Sequence, residues 1–168
     1  GSDIDTINTE LIIADMESLE RRKIKIDKLA KSGDKEARMQ VEVLSKLSEV
    51  LNHNKPARAV IDFNEEQKHY VKSLTLLSAK PVLYICNVME PSDIESQLVQ
   101  QVKQIAKQDG SSVIALAGKI EGEIMEIEDP EEQKMFMEEM GLTETGLDRM
   151  ISAGYGLLEL STYFTAGV

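Results

Sequence analysis

Pro81-Val82-Leu83-Tyr84-Ile85-Cys86-Asn87-Val88-Met89-Glu90 is a short apolar run that empties into a polar loop. Five of the six residues from Val82 to Asn87 are apolar, several are β-branched or aromatic, and a Lys-Pro pair precedes them. A strand buried on both faces of a parallel sheet reads this way. In such sheets ligands sit beyond the carboxyl ends of the strands, which puts Asn87 and Glu90 beside a ligand. The alternative is a loop whose Asn and Glu only cap the helix that follows.

Downstream, Pro91-Ser92-Asp93-Ile94-Glu95 reads as a capping box. Ile94, Leu98, Val102 and Ile105 make a buried stripe that stops at Asp109-Gly110, and Ser112–Ala117 is a second buried strand. Strand, helix and strand with short connections form a βαβ unit with a right-handed crossover. A short helix is expected from about Lys119. Asp129-Pro130-Glu131-Glu132 opens the next, with Met135, Phe136 and Met140 as its apolar face and Gly141 as its stop. Thr145 and Asp148 start a last helix bearing Leu147, Met150 and Ile151, and Ser161–Thr165 is strand-like.

Upstream, residues 9–53 read as two long helices. Ile12, Met16, Leu19, Lys23, Ile26 and Ala30 recur at alternating steps of four and three; Ala37, Val41, Leu44, Leu47 and Leu51 form a second stripe. Gly33 can take the left-handed conformation that closes the first helix, and Asp34 can cap the second, with Glu36 in its first turn. Seams of this period joined by a tight turn predict an antiparallel coiled-coil hairpin. Its arms, about 25–35 Å long at 1.5 Å per residue, should project from a domain of this size. Lys28, Lys31, Lys35 and Arg38 cluster at the tip. His53 and His69 have no second ligand at metal spacing and are expected to be structural. Asn64 and Gln67 form a capping box for a helix with Tyr70, Val71, Leu74 and Leu77 on one face.

Charge is spread unevenly over the 168 residues, whose net charge is −11 with 42% hydrophobic and 4% aromatic residues. Residues 14–54 carry nine Lys or Arg against eight acids, whereas residues 121–148 hold eleven acids against Lys134 alone. An acidic face repels nucleic acid, so any phosphate contact should fall to the first segment. The single Cys86 excludes an internal disulfide and fits a reducing cytoplasm. Gly1-Ser2 reads as the scar of a cleaved tag. No run of 18 apolar residues is present, so no membrane contact is expected. The sequence contains no Gly-x-x-x-x-Gly-Lys-Ser/Thr, Gly-x-Gly-x-x-Gly, Gly-x-Ser-x-Gly or Cys-x-x-Cys. Two parallel strands leave bare sheet edges, so the chain is expected to be part of a larger α/β domain, and the edges invite self-association.

Several blocks, in this order, resemble the YchF / Obg-like ATPase family of the P-loop GTPase superfamily. They are Ile7-Asn8-Thr9-Glu10-Leu11 with Ala14-Asp15, Lys31-Ser32-Gly33-Asp34-Lys35, Lys80-Pro81-Val82-Leu83-Tyr84, Asn87-Val88-Met89-Glu90, Ala153-Gly154-Tyr155 and Tyr163-Phe164-Thr165-Ala166-Gly167. The resemblance implies an α/β fold. Residues 56–160 would be the C-terminal half of a P-loop-type nucleotide-binding domain, 9–53 its inserted coiled-coil hairpin, and 161–168 the start of a linker or TGS strand. The phosphate-binding loop, switches and magnesium ligand of the family would all precede Ile7.

By this resemblance Asn87-Val88-Met89-Glu90 stands where ordinary GTPases have Asn-Lys-x-Asp. There the carboxylate pairs with the N1 and N2 hydrogens of guanine. A glutamate is one methylene longer and no longer meets that edge in register, and losing a designed polar pairing can cost ~10⁴-fold in discrimination. Adenine is then preferred through Glu90, with Val88 as an apolar wall, Met89 beside it and Asn87 holding the loop. Ala117-Gly118-Lys119 matches the second base-side loop, where Gly118 lets the backbone approach the purine. The implied ligands of the full-length protein are ATP or GTP with Mg2+, and its implied partner is the ribosome or RNA. The chain alone is expected to bind no cofactor and to hydrolyse no nucleotide. The other reading is a binding module whose basic tip, Lys28, Lys31, Lys35 and Arg38, contacts ribosomal RNA or a protein; lysines carried for solubility are the alternative for that cluster.

Overall fold

Caps and tight turns fix most of the helix ends. The computed structural model describes residues 2–60 and 62–165 and divides into two compact units, Gly1–Lys80 and Pro81–Val168.

The first unit holds α1 (Ser2–Lys31), α2 (Lys35–Asn52) and α3 (Glu65–Leu74). α1 begins well before residue 9, with Asp3 and Asp5 in its first turn, where carboxylates favour a helix start. Gly33, at φ +96°, turns the chain. Asp34 Oδ1 then accepts from the Ala37 N–H at 2.8 Å. Ile12 and Leu19 of α1 join Val43, Leu44, Leu47 and Leu51 of α2 in one buried cluster with Ala57, Leu74 and Leu76. Each such leucine contributes about 1.5–3 kcal/mol on burial. Burial fades towards the turn, where Ile24 and Leu29 are exposed.

The capping box of α3 forms as expected, with Asn64 Oδ1 accepting from the Gln67 N–H and Gln67 Oε1 from the Asn64 N–H. Thr75, left-handed at φ +53°, ends the helix one residue after Leu74. The chain therefore turns before Leu77, which is exposed, while Leu76 takes the buried place expected of it.

Asp15 lies on the buried face of α1, 3% exposed. Its carboxylate accepts from the Leu77 N–H (2.8 Å), the Ser78 N–H (2.7 Å) and the Ser78 hydroxyl (2.6 Å). Ser78 Oγ in turn accepts from the Ala57 N–H at 3.0 Å. A buried charge is tolerable when its lone pairs are filled in this way. His53 closes α2 with Nδ1 2.7 Å from Glu49 O, and His69 is exposed on α3.

In the second unit β1 (Leu83–Asn87) and β2 (Ser112–Leu116) pair in parallel, in register from Leu83 with Ser112 to Asn87 with Leu116. α4 (Gln97–Asp109) is the crossover; α5 (Gly118–Met125), α6 (Pro130–Glu139) and α7 (Gly146–Leu157) follow. The capping box expected over residues 91–95 is replaced by a 3-10 turn, Pro91–Glu95, so α4 starts later, after Ser96. Its buried face shifts with it: Val99 and Ala106 are buried, whereas Leu98 is 74% exposed. Gly110 closes α4 in the left-handed conformation, and Asp129 and Thr145 cap α6 and α7.

β1 is not buried on both faces. With one neighbouring strand among the described residues, Ile85 stays half exposed. Met135 and Phe136 of α6 and Met140 at its C-cap are exposed as well, as are Tyr163 and Phe164, and Ser161–Thr165 takes no regular structure. A strand needs a partner, and among the described residues none is in place there. Gly1 of the expected tag scar and residues 166–168 of the expected last strand lie outside the described residues.

Candidate nucleotide-base pocket

β1 and β2 end side by side, so the loops that follow them meet. The Val88 N–H donates to Leu116 O at 2.9 Å and carries the ladder one step past β1. Asn87 Oδ1 then accepts from the Gly118 N–H at 3.1 Å. A Cβ at Gly118 would stand 3.1 Å from both Asn87 Oδ1 and Leu116 Cδ1, tighter than nearly all real contacts. The glycine lets the two loops close on each other, and its backbone donor is engaged by Asn87 rather than left open.

Two clefts flank this tie. One, of about 530 Å³, is lined by Leu116, Gly118, Glu121, Gly146, Leu147 and Met150 among others. The other, of about 540 Å³, runs along Cys86, Val88, Met89, Leu98 and Val99. Ile85 and Asn87 border both. Asn87 and Gly118 are thus brought together, Val88 and Met89 lie on the far side of Asn87, and Glu90 lines neither cleft. Val88 is half-buried, whereas Met89 is 78% exposed. Glu90 is exposed at the cap position of the 3-10 turn but makes no capping bond there. The Ser92 hydroxyl reaches its Oε2 at 3.4 Å. Its carboxylate is therefore not consumed by starting the helix.

Behind the Gly118 loop lies a polar cluster that sequence reading missed. Glu121 is only 7% exposed. Its Oε1 accepts from the Ala117 N–H (2.9 Å) and from Arg149 Nη2 (3.1 Å), and its Oε2 accepts from the Gly146 N–H. Arg149 Nη1 donates to Ala115 O at 2.8 Å. The available signal was a glutamate five residues past the end of β2, one helical turn on from Ala117. Asp15 had a similar signal: steps of three, one and three through Ile12, Asp15, Met16 and Leu19 put a carboxylate on the apolar stripe.

Burial pushes the Cys86 thiol above its usual range, with Lys103 pulling weakly the other way, so it is a poor nucleophile. Lys28, Lys31, Lys35 and Arg38 are all exposed, at the end of α1 and the start of α2. Among the described residues no group of three or more His, Cys, Asp or Glu is placed to hold a metal ion, and no helix is long and apolar enough to cross a membrane.

No family model matches the chain. It is 50% identical over 170 residues to the ribosome-binding ATPase YchF of Bacillus subtilis, covering 98% of this chain and 45% of that protein. It is 43% identical to the protein of the same name in Escherichia coli O157:H7, covering 100% of this chain and 46% of that one. The structure of the Schizosaccharomyces pombe YchF GTPase superposes with a TM-score of 0.84 at 23% identity, over 99% of this chain and 46% of that chain, a likeness of fold. The chain spans about half the length of the curated relatives it matches. With identity of this order running along its whole length, the chain belongs to the YchF family.

Proposed function

We propose that the chain carries the purine-selecting wall of a nucleotide pocket in a ribosome-associated P-loop ATPase. The observation that carries this reading is the Asn87–Gly118 tie, which locks together the loops at the carboxyl ends of both strands, where α/β sheets bind ligands. Asn87 fixes the loop, Val88 and Met89 give an apolar surface for a flat base, and Glu90 offers an acceptor. Adenine presents a donor at its C6 amino group, which an exposed carboxylate can accept. Guanine needs two parallel bonds in register, which an aspartate supplies and a longer glutamate does not. The name ribosome-binding ATPase borne by the relatives supports the same ligand class and the ribosome as partner. The triphosphate and its Mg2+ would be held in the full-length protein by a phosphate-binding loop of which this sequence has no copy. The 168-residue chain alone would then not turn nucleotide over.

The test is Glu90→Asp in the full-length protein, read as the ratio of ATP to GTP affinity. The expected outcome is a shift of at least ~10-fold towards GTP, since a restored pairing can be worth far more. An unchanged ratio removes Glu90 from base reading.

A second role sits on the first unit, where α1 and α2 would act as a coiled-coil arm that docks on RNA through Lys28, Lys31, Lys35 and Arg38. The observation that favours it is that all four are exposed together where α1 ends and α2 begins, a local basic set in a chain of net charge −11.

A further inference from the structure

We infer that Glu121 and Arg149 are positioning residues that set the base specificity of the pocket by holding the Gly118 loop; this rests on the base-wall reading above. Ala117 ends the loop with a methyl side chain that cannot cap α5, and α5 has no side-chain cap from that position. Glu121 supplies the missing bond from inside the helix, reaching back one turn to the Ala117 N–H. The next donor, the Gly118 N–H, is taken by Asn87. Adjacent backbone donors are thus held by two acceptors arriving from different elements, and the path of the loop between them is fixed.

The carboxylate does more than cap. Its second oxygen accepts from the Gly146 N–H at the start of α7, and Arg149, one turn further along α7, closes the circuit on Glu121 and on the β2 carbonyl of Ala115. β2, the Gly118 loop and α7 therefore share one charge pair whose carboxylate is buried. Gly146 is part of the same device: a Cβ there would stand 2.6 Å from Glu121 Oε2 and 2.8 Å from Leu116 Cβ, so a side chain would displace the carboxylate. Glu121, Gly146 and Gly118 border the 530 Å³ cleft, across Asn87 from Val88 and Met89, so a shift of the clamp reaches the base wall through the Gly118–Asn87 bond. The pair is partly enclosed rather than fully buried, since Arg149 keeps 24% of its side-chain surface exposed. Buried ion pairs are weak sources of net stability and are better suited to fixing one geometry out of several.

The experiment uses the full-length protein and three probes: ATP, GTP and inorganic tripolyphosphate, which has no base. Glu121→Gln keeps the volume but turns one acceptor into a donor facing a backbone N–H. It is expected to weaken ATP binding at least ~10-fold, to narrow the ATP:GTP ratio, and to leave tripolyphosphate affinity within about twofold. Arg149→Lys, which keeps the charge but not both bonds, should show the same pattern to a smaller degree. It serves if Glu121→Gln does not fold. Gly146→Ala should imitate Glu121→Gln. Equal losses for all three probes, or an unchanged ATP:GTP ratio in variants that melt with the parent, overturn the inference. Asn87→Ala separates the layers. If it leaves the ATP:GTP ratio intact, the base-wall reading itself falls. If it changes the ratio while Glu121→Gln and Arg149→Lys do not, only the clamp falls.

Discussion

Asp15 and Tyr70 are opposite answers to the same problem, a polar group taken out of water. Asp15 fills its lone pairs with three donors from Leu77 and Ser78. Removing that acceptor strands two backbone N–H groups and a hydroxyl at once, each costing about 1–3 kcal/mol when buried. Asp15→Ala should lower unfolding free energy by about 2–5 kcal/mol in urea titrations, and a loss under about 1 kcal/mol would show that water reaches the freed donors. Tyr70 has a buried hydroxyl with no hydrogen-bond partner among the described residues. Burial holds that hydroxyl above a tyrosine's ordinary value, with the Arg22 charge opposing. The neutral form is the one the fold prefers. Its contribution is complete below the unfolded value of about 10 and is lost as pH climbs through the folded one. Tyr70→Phe should therefore be neutral or slightly stabilising at pH 7, and should flatten the decline in melting temperature above about pH 10; a destabilised variant at pH 7 would reveal an unseen partner for the hydroxyl.

At the scale of elements, helix existence was legible and helix faces were less so. Asp34, Asn64, Asp129 and Thr145 each sit where the sequence puts a cap, because capping is local chemistry that tertiary packing seldom overrides. Both strands and their parallel pairing were readable from the short apolar runs around a helical period. The face of α4 was not. Leu98 and Val99 are adjacent apolar residues, either of which continues the stripe, and the 3-10 turn before Ser96 rotates the helix so that Val99 is the one that packs. This is open to measurement. Val99→Ala should cost about 1–3 kcal/mol, whereas Leu98→Ser should stay within about 0.5 kcal/mol in thermal or urea unfolding of this chain. A costly Leu98→Ser with a silent Val99→Ala would return the face to the period the sequence alone implies. The Glu121–Arg149 pair was illegible for another reason: its members lie far apart in the chain, and no spacing rule joins a helix interior to the start of a later helix.

For the whole molecule, the uneven distribution of charge makes the sharpest statement about partners. With a net charge of −11, and eleven of its acids between residues 121 and 148, the chain as a whole repels a polyanion. An RNA contact must then be carried by a local cation cluster strong enough to act against that field. Lys28, Lys31, Lys35 and Arg38 are exposed together around the α1–α2 turn and are the best-placed set. Phosphate contacts release counterions, so each one adds about 0.7–0.9 to the slope of log affinity against log salt. Changing all four to glutamine should weaken ribosome association of the full-length protein most at low salt and reduce that slope by about 2–4, while ATP binding stays as it was. A lower affinity with an unchanged slope would mean that the tip meets a protein surface through shape rather than phosphates. Ribosome association indifferent to the change at every salt concentration would leave the four cations as a solubilising cover on a helical spacer.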